Sequence, residues 1–137
     1  MNGVQGVLLY TYDGFEGKQM AVNARVLGTF RLVDDLLTEG ERLGGLSVTG
    51  TGMHARGFRI GDERLVLAGD NYVATDRRDA VLTCPVEQAC EVWDVLKREN
   101  LGDLTPENPR IAFAISGVDD RARFLYIGNN WNERLQR

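Results

Sequence analysis

Histidine, cysteine and proline are scarce in this chain of 137 residues, which has one histidine, two cysteines and three prolines. A zinc site of the usual kind needs four Cys or His ligands at short spacings, and His54, Cys84 and Cys90 are too few to supply them. The acidic pairs Asp34-Asp35 and Asp119-Asp120 do not follow a calcium-loop pattern. The sequence therefore predicts no metal site, and it contains no motif that calls for a cofactor.

Positive charge is not in excess either: 16 Lys and Arg stand against 20 Asp and Glu, which gives a net charge of −4 and a pI near 5.0. Proteins that bind nucleic acid or an anionic membrane surface use Lys and Arg to neutralise phosphates. We therefore predict no nucleic-acid partner and no membrane partner.

Long apolar runs are absent as well, since none approaches the roughly 20 residues that span a bilayer. Residues 1–6 lack the basic and then apolar plan of a secretory signal. A cytoplasmic location is the default expectation, and two reduced thiols fit it. An apolar fraction of 43% and a charged fraction of 26% are typical of globular proteins, and we expect one domain over residues 1–137.

The clearest predicted element is a helix over residues 85–99. Apolar residues recur there at helical spacing, namely Val86, Ala89, Cys90, Trp93 and Leu96. Pro85 suits the first helical position, and Lys97 with Arg98 suits the last turn. Six residues along such a helix would separate Cys84 from Cys90 by about 9 Å, too far for a disulfide.

Strands account for most of the remaining prediction. The N-terminal half is expected to contain a strand at residues 4–12, a second at 19–27 and a shorter helix at 30–43, with a strand over 26–33 as the alternative. Short β-rich runs separated by turn residues then predict an antiparallel meander over residues 46–84, in which Gly61-Asp62 divides 53–60 from 63–68.

Near the C-terminus, residues 110–116 and 121–127 flank Gly117–Asp120 and predict a hairpin. The expected fold is an α+β domain with a largely antiparallel, twisted sheet of six to eight strands and one main helix packed on it. A small β-barrel capped by that helix is the alternative.

Two motifs invite a catalytic or nucleotide-binding interpretation. Gly50-Thr-Gly52-Met-His-Ala55 matches a permissive dinucleotide-binding pattern, but the alternation that follows it predicts a strand where that motif requires a helix. A glycine turn is therefore expected. Cys84 would lie at the start of the predicted helix, where the helix dipole stabilises a thiolate, and His54 could act as its base. Pro85 and Glu87 argue against that activation.

His54 and Arg56 are predicted to share one face of a strand, which makes them the first candidates for binding a small anionic ligand. Trp131 lies in a polar tail and could contact a partner or bury against its own domain.

The leading hypothesis is a non-catalytic module that binds a protein partner or a small ligand, including an anionic one. A small cysteine hydrolase or transferase using Cys84 and His54 is the alternative. Because sheet edges need covering, a homodimer is also expected.

Overall fold

The fold is α+β, as predicted, with nine strands and three helices in the described part of the chain. A computed structural model describes residues 17–50, 52–70, 77–115 and 122–137. In chain order the elements are α1 Gly17–Phe30, α2 Asp34–Thr38, β1 Glu41–Arg42, β2 Ser47–Val48, β3 Met53–Ile60, β4 Glu63–Asp70, β5 Arg78–Thr83, β6 Cys90–Asp94, β7 Glu99–Leu104, β8 Arg110–Ile115, β9 Ala122–Gly128 and α3 Trp131–Leu135.

The strands form two antiparallel sheets. Six strands have the order β1-β3-β4-β9-β6-β7, and three have the order β2-β5-β8. The described strands thus form two open sheets, and the closed barrel that the sequence left as an alternative is not found. Within the described ranges no helix has the length and apolarity to cross a membrane.

The main core lies where the two sheets face each other. Alternate residues of β5, β8 and β9 point into it, including Leu82, Phe113, Leu125 and Ile127. Neighbouring residues of β9 are buried on the opposite face, where Tyr126 packs with Leu36 and Trp131 from the short helices. Because helices cover that outer face, the centre of the six-stranded sheet is buried on both sides.

The hairpin of β3 and β4 matches the prediction closely. Its pairs run from Met53 opposite Asp70 to Ile60 opposite Glu63. Gly61 in the turn has a φ of 56°, a conformation that glycine adopts without steric cost. Gly50 and Gly52 also have positive φ angles and precede a strand, as the turn interpretation of that motif expected.

The predicted helix over residues 85–99 is wrong. Residues 85–89 form a loop, β6 follows, and the chain turns at residues 95–98 into β7. Burial in β6 alternates, with Cys90, Val92 and Asp94 buried and the residues between them partly exposed. Pairing with β9 on one side and β7 on the other therefore overrode a helical spacing that the same residues also satisfy.

Two further predictions near the N-terminus need correction. Residues 19–27 are part of α1, so the strand predicted there is wrong. The helix predicted over 30–43 is present only in part, as α2, because β1 follows directly. At Gly40 a Cβ atom would lie 2.2 Å from the carbonyl oxygen of Leu36, so the chain can turn there only with glycine.

The predicted hairpin of β8 and β9 is also wrong. β8 pairs with β5 in the small sheet, whereas β9 lies between β4 and β6 in the large one. The guanidinium of Arg123 in β9 donates to the carbonyl oxygen of Ala114 at 3.0 Å and 2.7 Å, which links β9 to β8 through a side chain. The strand predicted at 4–12 and the turn predicted at 117–120 lie outside the described residues.

Candidate functional site

An open depression with a volume of about 440 Å³ lies at the end of the large sheet where β3 turns into β4. Three segments of the chain form its walls: the stretch from the end of α2 into β1, the end of β3 with the β3–β4 turn, and the loop between β5 and β6. Its lining includes Glu39, Glu41, Arg59, Ile60, Asp62 and Glu87. Carboxylates therefore outnumber the single guanidinium among these side chains.

Strand pairing brings the first two segments together. Glu41 in β1 lies directly opposite Arg59 in β3, and Arg42 lies opposite Phe58. The β3–β4 turn then carries Ile60 and Asp62 to the same end of the sheet. The amide of Gln88 donates to the Asp62 carboxylate at 3.2 Å, which ties the loop of residues 85–89 to that turn.

Arg59 compensates the negative charge only in part. Its guanidinium lies 3.9 Å from the carboxylate of Glu41 and 3.9 Å from that of Glu87, distances longer than direct hydrogen bonds. The side chains of Glu41 and Glu87 remain 81% and 69% exposed. Exposed ion pairs of this geometry hold their charges loosely, so the Glu41 carboxylate stays accessible to a ligand.

A second guanidinium lies behind Glu87. Arg64 is buried, and it donates to the Glu87 carboxylate at 2.5 Å and to the carbonyl oxygen of Asp62 at 2.9 Å. The hydrogen bond from Arg64 lowers the pKa of Glu87 below its usual range. Glu87 is therefore ionised at neutral pH.

Cys84 does not have the surroundings that the sequence suggested. It follows β5, its backbone N–H donates to the carbonyl oxygen of Pro109 at 2.9 Å, and its side chain is completely buried. No helix begins there, so the predicted dipole is missing. Burial raises the pKa of the Cys84 thiol to about 11, which keeps it protonated at neutral pH.

The structure places Cys84 and His54 apart. His54 is exposed on β3 of the large sheet, whereas the Cys84 side chain lies in the core between the sheets. The 9 Å separation of the cysteines also no longer follows, because it rested on the wrong helix. Cys84 and Cys90 are both buried in the same core and both carry free thiols.

The other predicted site residues lie away from the depression. His54 and Arg56 are exposed at alternate positions of β3, and neither is among the residues that line the depression. Trp131 is fully buried in its own domain, with its ring centroid 5.9 Å from that of Trp93 and 5.3 Å from that of Tyr126.

Sequence reasoning missed the depression as a whole. The sequence predicts Glu87 near the start of one helix and Glu41 in the last turn of another. Only the Gly61-Asp62 turn was predicted correctly, because its signal is local. The pairing of β1 with β3 is not local, and no pattern in the sequence indicates that Glu41 and Arg59 are neighbours.

Comparisons with known proteins find a similarity of fold and none of sequence. No family model and no curated protein matches the sequence. The fold is similar to parts of solved glycoside hydrolases. A noncanonic maltogenic alpha-amylase, AmyB from Thermotoga neapolitana, gives a TM-score of 0.59 at 10% identity, covering 88% of this chain and 28% of its own.

Two other solved structures show the same similarity. An alpha-amylase from Anoxybacillus gives a TM-score of 0.58 at 15% identity, covering 86% of this chain and 24% of its own. A GH27 β-L-arabinopyranosidase from Geobacillus stearothermophilus gives 0.51 at 11% identity, covering 72% and 22%. This chain therefore spans less than a third of the length of each of these proteins, and at such low identity the similarity concerns the fold alone.

Proposed function

We propose that this chain is a non-catalytic binding module whose depression receives a basic segment of a protein partner. The observation that carries the proposal is the convergence of four carboxylates from three segments of the chain on one concave site, in which Arg59 is the only cation among the described lining residues. A lysine or arginine side chain placed there makes charge-assisted hydrogen bonds, which are stronger than neutral ones.

The apolar part of the depression supports the same class of ligand. Ile60 is 38% exposed, a large value for an isoleucine in a strand that pairs on both sides. Lys and Arg carry long methylene stems that cover apolar surface while the charged end stays in water. An aliphatic side chain surrounded by carboxylates therefore suits a basic side chain better than a small inorganic cation.

Other predicted activities have weaker support. The alternative cysteine enzyme would need a reactive thiol, and the burial and raised pKa of Cys84 count against it. Binding of an anion by His54 and Arg56 is supported only by their exposure on one strand face.

The free thiols of Cys84 and Cys90 support the predicted cytoplasmic location.

Fluorescence anisotropy with a labelled peptide of arginine and leucine tests the proposal. The Glu41→Lys variant should weaken binding at least about tenfold, because it replaces an attraction by a repulsion in the depression. The matched control is Asp79→Lys, which reverses an exposed carboxylate at the start of β5 in the small sheet and should have little effect. Affinity for the unmodified chain should also fall as salt is raised.

Two outcomes would overturn the proposal. One is equal affinity for a peptide in which every arginine is replaced by glutamate. The other is specific binding of a maltooligosaccharide in place of the basic peptide, with competition between the two, which would make the depression a carbohydrate site.

A further inference from the structure

Most residues of the first helix whose burial the structure describes are exposed. In α1 Ala21, Ala24, Arg25 and Gly28 are exposed, and Leu27 is 52% exposed. The described contacts of α1 with the domain include its C-terminal end, where Thr29 is buried and Phe30 packs edge-on against Phe124 with ring centroids 5.4 Å apart.

Such a helix needs additional packing to be stable. Isolated helices of about 12 to 15 residues are marginal in water even for favourable sequences. α1 has 14 residues and includes glycines, valines and an asparagine, which have low helix propensity. Its exposed apolar residue Leu27 indicates where the additional packing would occur.

The charge of α1 indicates the chemistry of its partner. Its charged residues are Lys18 and Arg25, it contains no carboxylate, and Arg31 follows directly. A surface that receives α1 should therefore be acidic and contain an apolar residue. The depression at the β3–β4 turn has both properties, in its four carboxylates and in Ile60.

The positions of α1 and of the depression decide whether the two could meet within one chain or only between two copies. Arg25 donates to the carbonyl oxygen of Leu96 at 3.1 Å, in the turn that follows β6, and Phe30 contacts Phe124 near the start of β9. The depression adjoins the start of β4, which pairs with the end of β9. The contacts of α1 lie near Phe124 of β9, whereas the depression lies towards the end of β9 where Ile127 pairs with Arg64, so the two surfaces lie towards different ends of the large sheet.

We infer that the depression of one copy receives α1 of a second copy. In an antiparallel pair related by a two-fold axis, each helix meets the depression of its partner, so the same contact forms twice. Leu27 would pack near Ile60, and Arg25 would approach Glu41 and the neighbouring carboxylates. This inference rests on the proposed function, because it names the basic segment that the depression binds.

Sedimentation equilibrium of the full chain tests the inference through charge reversal. The variants Arg25→Glu and Glu41→Arg should each weaken dimerisation at least about tenfold, because each places like charges together in both contacts. An equimolar mixture of the two variants should form heterodimers, since both contacts in such a pair again join opposite charges. Asp79→Arg is the control for charge reversal elsewhere.

Leu27→Asp serves as a second variant, because Arg25 also bonds Leu96 within its own chain. It should weaken the dimer without changing the thermal stability of the monomer, and circular dichroism checks that each variant is folded. A dimer that survives every one of these variants would overturn the inference.

A protein that stays monomeric at every concentration would also overturn the inference. The peptide titration then shows whether the proposed function fails as well. If the arginine peptide still binds through Glu41, only the second copy as partner is refuted. If the peptide does not bind either, the proposed function fails with it.

Discussion

Two groups of charged side chains lie on the large sheet, and they differ in how completely their charges are satisfied. The buried group joins Arg134 of α3, Glu63 of β4 and Asp35 of α2. The exposed group lines the depression and joins Glu41, Arg59 and Glu87 at 3.9 Å. The same residue types are present in both groups, so the surroundings decide what each does.

In the buried group, hydrogen bonds satisfy the guanidinium. Arg134 is 1% exposed and donates to Glu63 at 2.5 Å, to Asp35 at 2.7 Å and 3.1 Å, and to the carbonyl oxygen of Leu32 at 2.8 Å. The Tyr126 hydroxyl donates to Glu63 at 2.7 Å. These bonds hold α2 and α3 against the outer face of the sheet. This group is structural, whereas the exposed group is the one that we propose binds a ligand.

The largest expected effect comes from removing the buried guanidinium. Arg134→Met leaves Glu63 and Asp35 without their main partner, and breaking a buried pair of this kind typically costs about 3 to 5 kcal/mol. The free energy of unfolding in urea measures it. Arg137→Met is the matched control, because Arg137 also contacts Asp35 but its side chain is 46% exposed. Equal losses for the two variants would contradict a structural role of the buried group.

The second-largest effect is expected from acid, which should weaken the buried group. Burial alone would raise the pKa of Asp35, but hydrogen bonds from Arg134, the Leu36 N–H and Arg137 outweigh it and lower the pKa to about 2. The unfolded chain then binds the proton more readily, so the stability due to Asp35 is fully present above about pH 5. It is lost as the pH falls towards 2, and it amounts to about 2 kcal/mol.

Asp35→Asn tests this pH dependence. The difference in unfolding free energy between the unmodified chain and the variant should narrow as the pH is lowered from about 5 to about 2. A difference that stays constant over this range would show that Asp35 is not held ionised by its neighbours.

The smallest effect on stability is expected in the depression. Arg59→Gln should change the free energy of unfolding by less than about 1 kcal/mol, because the pairs it breaks are exposed. It should tighten the binding of the arginine peptide several-fold, since Arg59 competes with the ligand for the same carboxylates. Arg56→Gln, three residues earlier on β3 and also exposed, is the control. Weaker peptide binding by Arg59→Gln would place Arg59 among the groups that hold the ligand.

Local signals explain what could be predicted from the sequence. The hairpin of β3 and β4 combines an alternating pattern with Gly61-Asp62, and both signals lie within the paired segment. β8 and β9 were each found as strands for the same reason. The error at residues 85–99 arose because Cys90, Trp93 and Leu96 recur at helical spacing. Cys90 and Val92 also alternate as in a strand, so only their neighbours in the sheet could decide.

The sequence by itself determined the α+β class, the antiparallel character of the strands and the acidic charge, because these depend on composition and on patterns a few residues long. The tertiary structure alone decided that β6 joins β9 to β7, that β8 and β9 belong to different sheets, and that Trp131 is buried.

It also decided that Glu39, Glu41, Asp62 and Glu87 meet in one depression. Strand pairing joins backbone groups far apart in the chain, and which strands pair depends on the apolar faces that the whole domain can bury together.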